Sequence, residues 1–181
     1  MTIKIDDHLE LQLISIQHAA ALFKAIEGNR EQLSVFLPWV PAMQSVEEVR
    51  SYIQSCEALH AKSLDYGFVV LYDGVLIGRI GLHHLNTANK SAAIGYWLSA
   101  AYQGKGIISA CVQAIIQYGF ETLRLNRIEI KAAVHNIKSR AIPERSDFVF
   151  EGILREAELV NGVYFDLALY SLLRREYRAA Y

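Results

Sequence analysis

The segment Tyr102-Gln103-Gly104-Lys105-Gly106-Ile107-Ile108 stands between a run of alternating apolar residues and a long apolar-striped stretch. Glycines at such a junction let the backbone turn sharply and let a ligand approach the main chain. A helix starting there offers unpaired N–H groups and the positive end of its dipole. Together these make a site for a phosphate or pyrophosphate. Two well-known phosphate patterns do not fit. A P-loop places Lys after its last Gly and before Ser or Thr, whereas Lys105 lies between Gly104 and Gly106. A dinucleotide fingerprint needs a third Gly where Ser109 stands, and opens the first strand of its unit. Other reactive residues are few. The tandem His83-His84 fits a base or a metal ligand, yet no third ligand follows at usable spacing, and strand-end packing is the plain alternative. Cys56 and Cys111 form no CxxC, so they read as two reduced, partly buried thiols.

Periodicity supplies the elements that must hold these residues. Leu9–Ile14 alternates as a strand, and Gln17–Glu27 reads as a short helix stopped by Gly28-Asn29. Residues 30–41 read as a loop with a helical turn. Ser45 followed by Glu48 has capping-box spacing and opens a helix to about Ala61. Tyr66–Tyr72 and Val75–His83 are strands joined by an Asp73-Gly74 hairpin turn, and Ala92–Leu98 is the third strand of that meander. Ile107–Leu123 carries two adjacent apolar rows, as a helix laid on a sheet does. Arg127–Val134 is a strand, Ser139–Ser146 a short helix, and Phe148–Ala157 and Tyr164–Leu172 are strands joined through Asn161-Gly162. These seven strands with interspersed helices predict an α/β sheet, mixed and mostly antiparallel. The strand–turn–helix–strand run over residues 92–134 is a crossover, so its two strands should be parallel neighbours.

Composition bounds the function. In 181 residues, 52% hydrophobic and 20% charged content excludes a disordered chain. The formal net charge of −1 argues against a protein that coats nucleic acid. Few Gly and Pro and no linker-like stretch predict one domain over residues 1–181. The first ten residues include Lys4, Asp6, Asp7 and Glu10, which is unlike a signal peptide. Uncharged runs such as Gly106–Phe120 fall short of the ~20 residues that span a bilayer. The expectation is a cytoplasmic protein without membrane attachment. Charge is unevenly spread: residues 101–145 hold seven basic and three acidic groups, residues 1–60 four and eight. That distribution suits an anionic ligand at one segment and a cationic one at the other.

A third phosphate pattern, Gln/Arg-x-x-Gly-x-Gly/Ala, matches at Gln103 and Gly106 and departs at Ile108. It is the pyrophosphate loop of the GNAT acetyltransferases. Around it, in order, stand Ile94-Gly95-Tyr96-Trp97-Leu98, Asn126-Arg127-Ile128-Glu129-Ile130, Asn136-Ile137-Lys138-Ser139-Arg140-Ala141, Phe148-Val149-Phe150-Glu151-Gly152 and Val160-Asn161-Gly162. The chain resembles the RimJ/RimL-type N-acetyltransferases, the ribosomal-protein branch of that family, over roughly residues 8–178. The resemblance implies a GNAT fold, in which the central parallel strands splay apart and acyl-CoA lies in the wedge. Ile94–Leu98 would then flank the pantetheine arm, and Gln103, Gly104, Lys105, Gly106, Ile107 and Ile108 the pyrophosphate. Asn136 and Ser139 would touch the arm near its thiol, although Ser139 also reads as an ordinary N-cap. Core packing is the alternative for Tyr96 and Trp97. For Trp39 the alternatives are a wall of the acceptor cleft and a core anchor.

The implied chemistry is attack of a neutral amine on the acetyl thioester of acetyl-CoA, with no metal. An oxyanion donor, a base and an acid are required. A backbone N–H near Trp97 or Leu98 fits the first. The tyrosine that many relatives use as acid is replaced by Pro143, which leaves Ser139 as the nearest substitute. The resemblance implies Glu158 as base, with Glu156 expected on the same strand face; a solvated hairpin carboxylate is the alternative. An α-amine with pKa of about 7.7–8.0 is roughly 10% neutral at pH 7, whereas a Lys at about 10.4 is almost wholly charged. This favours an N-terminal α-amine, such as that of a ribosomal protein, over a lysine. Dimers are common among relatives. The missing tyrosine leaves a second possibility, a catalytically silent acyl-CoA-binding module.

Overall fold

The computed structural model describes residues 1–177; Arg178, where the resemblance ends, and the three residues after it lie outside the described residues. Eight strands form one open sheet in the order β1-β2-β3-β4-β5-β6-β8-β7. They are β1 (Thr2–Lys4), β2 (Leu9–Leu13), β3 (Tyr66–Tyr72), β4 (Val75–Asn86), β5 (Ser91–Leu98), β6 (Arg127–Ala133), β7 (Val149–Val160) and β8 (Val163–Leu173). The class is the expected one, with one strand more than predicted. β1 has a single half-buried apolar residue, Ile3, so it shows no period of two and is defined by pairing with β2. Only β5 and β6 are parallel, as the crossover requires. Both predicted hairpin turns have positive φ at both residues, 48° and 75° at Asp73-Gly74 and 49° and 81° at Asn161-Gly162. That is the type I′ geometry.

The helices are α1 (Ala19–Glu27), α2 (Arg30–Ser34), α3 (Val46–Ala61), α4 (Ile107–Gln117) and α5 (Ile137–Arg145). Ser45 caps α3 by accepting from Glu48 N at 3.3 Å, while the Glu48 carboxylate reaches back to Gln44 N at 2.5 Å. α4 stops before the predicted Leu123 because Tyr118–Thr122 winds as a π turn. There a Cβ on Gly119 would lie 2.8 Å from Ile128 Cδ1, so glycine lets the helix end press on β6.

The two sheet faces bury separate cores. On the first, α4, the π turn that follows it and α5 pack Ile115, Phe120 and Ile142 against Phe68, Ile80, Ile94, Ile128 and Tyr170. On the second, α1 and α3 pack Leu22, Ile26, Val49 and Ile53 against Val69 and Trp97. Each such side chain contributes roughly 1.5–3 kcal/mol on burial. No strand residue of the second core comes from β6, β7 or β8. On that face the helices stop at β5, next to the parallel pair.

Candidate active site

β5 and β6 pair from Ser91 with Arg127 to Ile94 with Ile130, and no further. Beyond that point β5 stays bonded to β4 as far as Leu98 with Gly78, and β6 to β8 as far as Ala133 with Leu167. The two strands therefore diverge into a wedge, and Gly95–Leu98 present an unpaired edge to it. Such an edge is a liability unless something extended pairs with it. Its donors can be assigned. Ser99 N donates to Ile77 O on β4, and alternate residues of a strand point their N–H groups the same way. Trp97 N therefore faces β4, and the N–H groups of Tyr96 and Leu98 face the wedge. This narrows the expected pair: Leu98 stays and Trp97 drops out. The side chains of Ile94 and Leu98 are buried in the first core, and that of Trp97 in the second. For all three, core packing describes the side chain, and only the backbone borders the wedge.

The glycine loop follows at once. Gly104 and Gly106 have φ of 76° and 78°, the left-handed region that side chains avoid. A Cβ at either would meet nothing within 4 Å, so the ground above the loop is open. Gly106 is the N-cap of α4. Gln103 Nε2 donates to Leu98 O at 3.2 Å and ties the loop to the strand. The Lys105 ammonium lies 5.3 Å from the Tyr102 ring centroid. Ile107 is buried and Ile108 half-buried against the first core, which explains an isoleucine where the pattern has Gly or Ala.

Across the wedge, α5 differs from expectation in one useful way. Asn136, not Ser139, is the cap: its Oδ1 accepts from Ser139 N at 3.1 Å. The Ser139 hydroxyl is thereby released from capping and donates to Tyr96 Oη at 3.3 Å. The Tyr96 hydroxyl in turn donates to Ser139 O at 2.8 Å. That carbonyl is available because Pro143, four residues on, has no N–H to give it. Burial pushes Tyr96 up to about 12, so it stays a neutral donor. The proline that removes the usual tyrosine thus admits another hydroxyl beside Ser139, and the silent binding module loses its motive.

The β7–β8 hairpin closes the second face. Glu158 pairs with Phe165, so their side chains share a face. Phe165 meets the His135 ring edge-on at 4.5 Å, and Phe36 lies tilted against His135 at 5.3 Å between centroids. Asn161 Nδ2 donates to Ser34 O at 2.8 Å, pinning the hairpin tip to the C-terminal end of α2. In this aromatic setting Glu158 is half-buried, and burial raises its pKa. Glu156 does not share its face. A bulge lies between Leu154 and Glu158; Glu156 takes φ of 49° inside it, and its N–H goes to Asp166 Oδ1. Phe36, His135 and Phe165 escaped sequence reasoning, although the Asn161-Gly162 turn already sets Glu158 opposite Phe165.

His83 and His84 part company. His83 Nδ1 lies 2.6 Å from Asp65 Oδ2, whereas His84 is exposed. Trp39 packs on Trp97 at 6.4 Å between ring centroids and anchors the second core. Both cysteines are buried and free. Among the described residues no cluster of three or more His, Cys, Asp or Glu could hold a metal ion, and no helix is long and apolar enough to cross a membrane.

Known proteins share this fold. The family model described as the acetyltransferase (GNAT) domain matches residues 8–149. YdaF of Bacillus subtilis (strain 168) is 40% identical over 177 residues, 97% of either chain. The ribosomal-protein-serine acetyltransferase of Escherichia coli (strain K12) is 36% identical over 170 residues, 94% of this chain and 95% of that one. RimL, a ribosomal alpha-N-protein acetyltransferase solved in complex with coenzyme A, superposes with a TM-score of 0.91 at 30% identity, covering 96% of this chain and 98% of its own. A splayed parallel pair, a left-handed glycine loop at the head of α4 and this kinship agree: the chain belongs to the GNAT acetyltransferases, whose cosubstrate is acetyl-CoA.

Proposed function

We propose that this chain, as one catalytic domain, transfers the acetyl group of acetyl-CoA to the N-terminal α-amine of a polypeptide, in the cytoplasm, with a ribosomal protein as acceptor. The observation that carries this is the wedge: an unpaired β5 edge that leads from the glycine loop to Ser139 on one face and toward Glu158 on the other. Backbone N–H groups of the Gly104–Gly106 loop and of the α4 start hold the pyrophosphate, helped by Lys105. The Tyr96 and Leu98 N–H groups pair with the arm and with the developing oxyanion. Glu158 takes the first proton from the α-ammonium; a carboxylate raised by burial is a better match to a donor near pH 8 than an ordinary one. Ser139, its hydroxyl oriented by Tyr96 Oη, hands a proton to the departing thiolate and regains one from water. We also propose that two copies associate, because Phe150, Ile153, Leu159 and Tyr164, all on the first face at the sheet edge, are about half exposed.

Thiol release from acetyl-CoA, measured against N-terminal peptides, lysine peptides with blocked N-termini and polyamines, tests the reaction. Turnover confined to free α-amines supports it, and turnover confined to lysines or polyamines moves the acceptor. Calorimetry on Gly106→Trp should show acetyl-CoA binding abolished; persistent binding refutes the placement of the pyrophosphate.

A further inference from the structure

Three glycines stand side by side on three strands. Gly67 of β3 pairs with Gly81 of β4, and Gly81 with Gly95 of β5. Directly paired residues share a face, so the row opens a groove across the strands on the second face. At about 4.8 Å per strand it is roughly 10 Å long. One end meets the wedge, since Gly95 is the first β5 residue beyond the last β5–β6 pair. The other end meets a cavity of about 350 Å³ that Gly67 lines together with Ser15, Glu57 and His60.

Polar side chains occupy this groove. A Cβ on Gly67 would lie 2.5 Å from Arg79 Nη2 and 3.5 Å from Asp65 Oδ1. One on Gly81 would lie 2.8 Å from Tyr66 O and 2.9 Å from Gly67 Cα as well as 3.0 Å from His83 Cε1, and one on Gly95 3.2 Å from His83 Cδ2 and 3.5 Å from Nε2. A side chain at Gly81 would meet the backbone of β3, whereas at Gly67 and Gly95 it would displace the Arg79 guanidinium and the His83 ring. Asp65 is buried, binds His83 Nδ1 through Oδ2, and leaves Oδ1 without a partner. Filling such a groove with a carboxylate, an imidazole and a guanidinium is costly compared with apolar packing. What the arrangement achieves is orientation. The carboxylate holds the proton on Nδ1 and leaves the Nε2 lone pair over Gly95.

We propose that His83 accepts the second proton of the acceptor nitrogen, with Asp65 and the glycine row as positioning elements; this rests on the placing of the acetyl group against β5 made above. The nitrogen lone pair forms the C–N bond as the carbonyl pair moves onto oxygen. Of the two protons then on nitrogen, one passes to His83 Nε2, directly or through one water, and the other stays as the amide N–H. The oxygen pair then returns, and the C–S bond breaks with its electrons on sulfur. Sulfur gains one proton by way of Ser139 and the imidazolium gives one to water, so the neutral-amine reaction balances. The ionisable groups around His83 are Arg79 on its own strand, Asp65, His60 bonded to the Asp65 carbonyl, Cys56 beside Arg79, and Glu129 and Lys131 across β5 on the same face.

The test uses the full chain, with an accepted amine and saturating acetyl-CoA. His83→Ala and His83→Gln should lower kcat about 10²-fold with KM for acetyl-CoA unchanged. Added imidazole should restore part of the His83→Ala rate, and the pH–rate profile of His83→Gln should lose one ionisation. Asp65→Asn and Gly95→Ala, which keep the imidazole but release or displace it, should each lower kcat about tenfold or more, and carry the test where a His83 variant does not fold. A His83→Gln rate within about threefold of the unaltered chain, an unchanged pH profile, or a folded His83→Ala that imidazole does not rescue would overturn the assignment. Normal turnover alongside such indifferent variants removes His83 alone. An unaltered chain that binds no acetyl-CoA or acetylates no amine removes the reading of the site, and His83 with it.

Discussion

Tyr96→Phe tests whether the proline in α5 and the hydroxyl on β5 form one unit. In a regular helix the N–H of residue 143 would reach Ser139 O. Pro143 has none, and Tyr96 Oη supplies the hydrogen bond at 2.8 Å instead. Removing that hydroxyl leaves a carbonyl without its donor beside a buried ring, a loss of about 1–3 kcal/mol. For a chain of this size, about 2–4 °C accompanies each kcal/mol, so the thermal midpoint should fall by roughly 2–12 °C. Pro143→Ala provides the missing N–H. In that background Tyr96→Phe should cost well under 1 kcal/mol, a coupling of about 1 kcal/mol or more. Urea denaturation of the four proteins measures it. Additivity within about 0.5 kcal/mol would refute the link between Pro143 and Tyr96. The double variant also separates structure from chemistry: its stability returns, but its acetyl transfer stays slow if the Tyr96 hydroxyl orients Ser139.

Asn136→Ala should cost about 0.5–2 kcal/mol in urea denaturation by uncapping α5, and Asn136→Asp, which can still accept from Ser139 N, should keep most of it. Glu158 is raised by burial, so its contribution to stability is present below the ordinary carboxylate range and lost as pH rises through the raised value. Glu158→Gln should therefore raise the thermal midpoint at neutral pH, leave it unchanged in acid, slow turnover and flatten the acid limb of the rate profile; an unaltered profile removes Glu158 as base. Glu151 behaves oppositely. The Arg127 guanidinium, aided by the Ser171 hydroxyl, holds it near about 2. Its stabilisation is present above the ordinary carboxylate range and fades as pH falls toward 2, so thermal melts of the chain and Glu151→Gln should converge there.

What could be read from the sequence was chemistry carried by neighbours in the chain. The glycine loop, both type I′ turns and the crossover depend on residues within a few positions of one another, and all stand where periodicity puts them. The choice of cap on α5 turned on two short polar residues three apart, Asn136 and Ser139, either of which fits locally. Glu156 and Glu158 look alike by a period of two, and only the bulge before Glu158 separates them. The groove shows the same limit most clearly. Continued unbroken, the turn register that pairs Tyr72 with Val75 and Leu71 with Leu76 would set Gly67 against Ile80. The bulge between Val70 and Leu71 shifts the count by one, and Gly67 meets Gly81 instead. A one-residue slip exchanges the faces of a strand, so this irregularity is what brings Arg79, Asp65 and His83 into one channel ending at the wedge. A row of glycines aligned by a bulge has no signature along the chain. It exists only once the strands are paired, and so the groups with the strongest claim to a second catalytic role were the ones periodicity could not bring together.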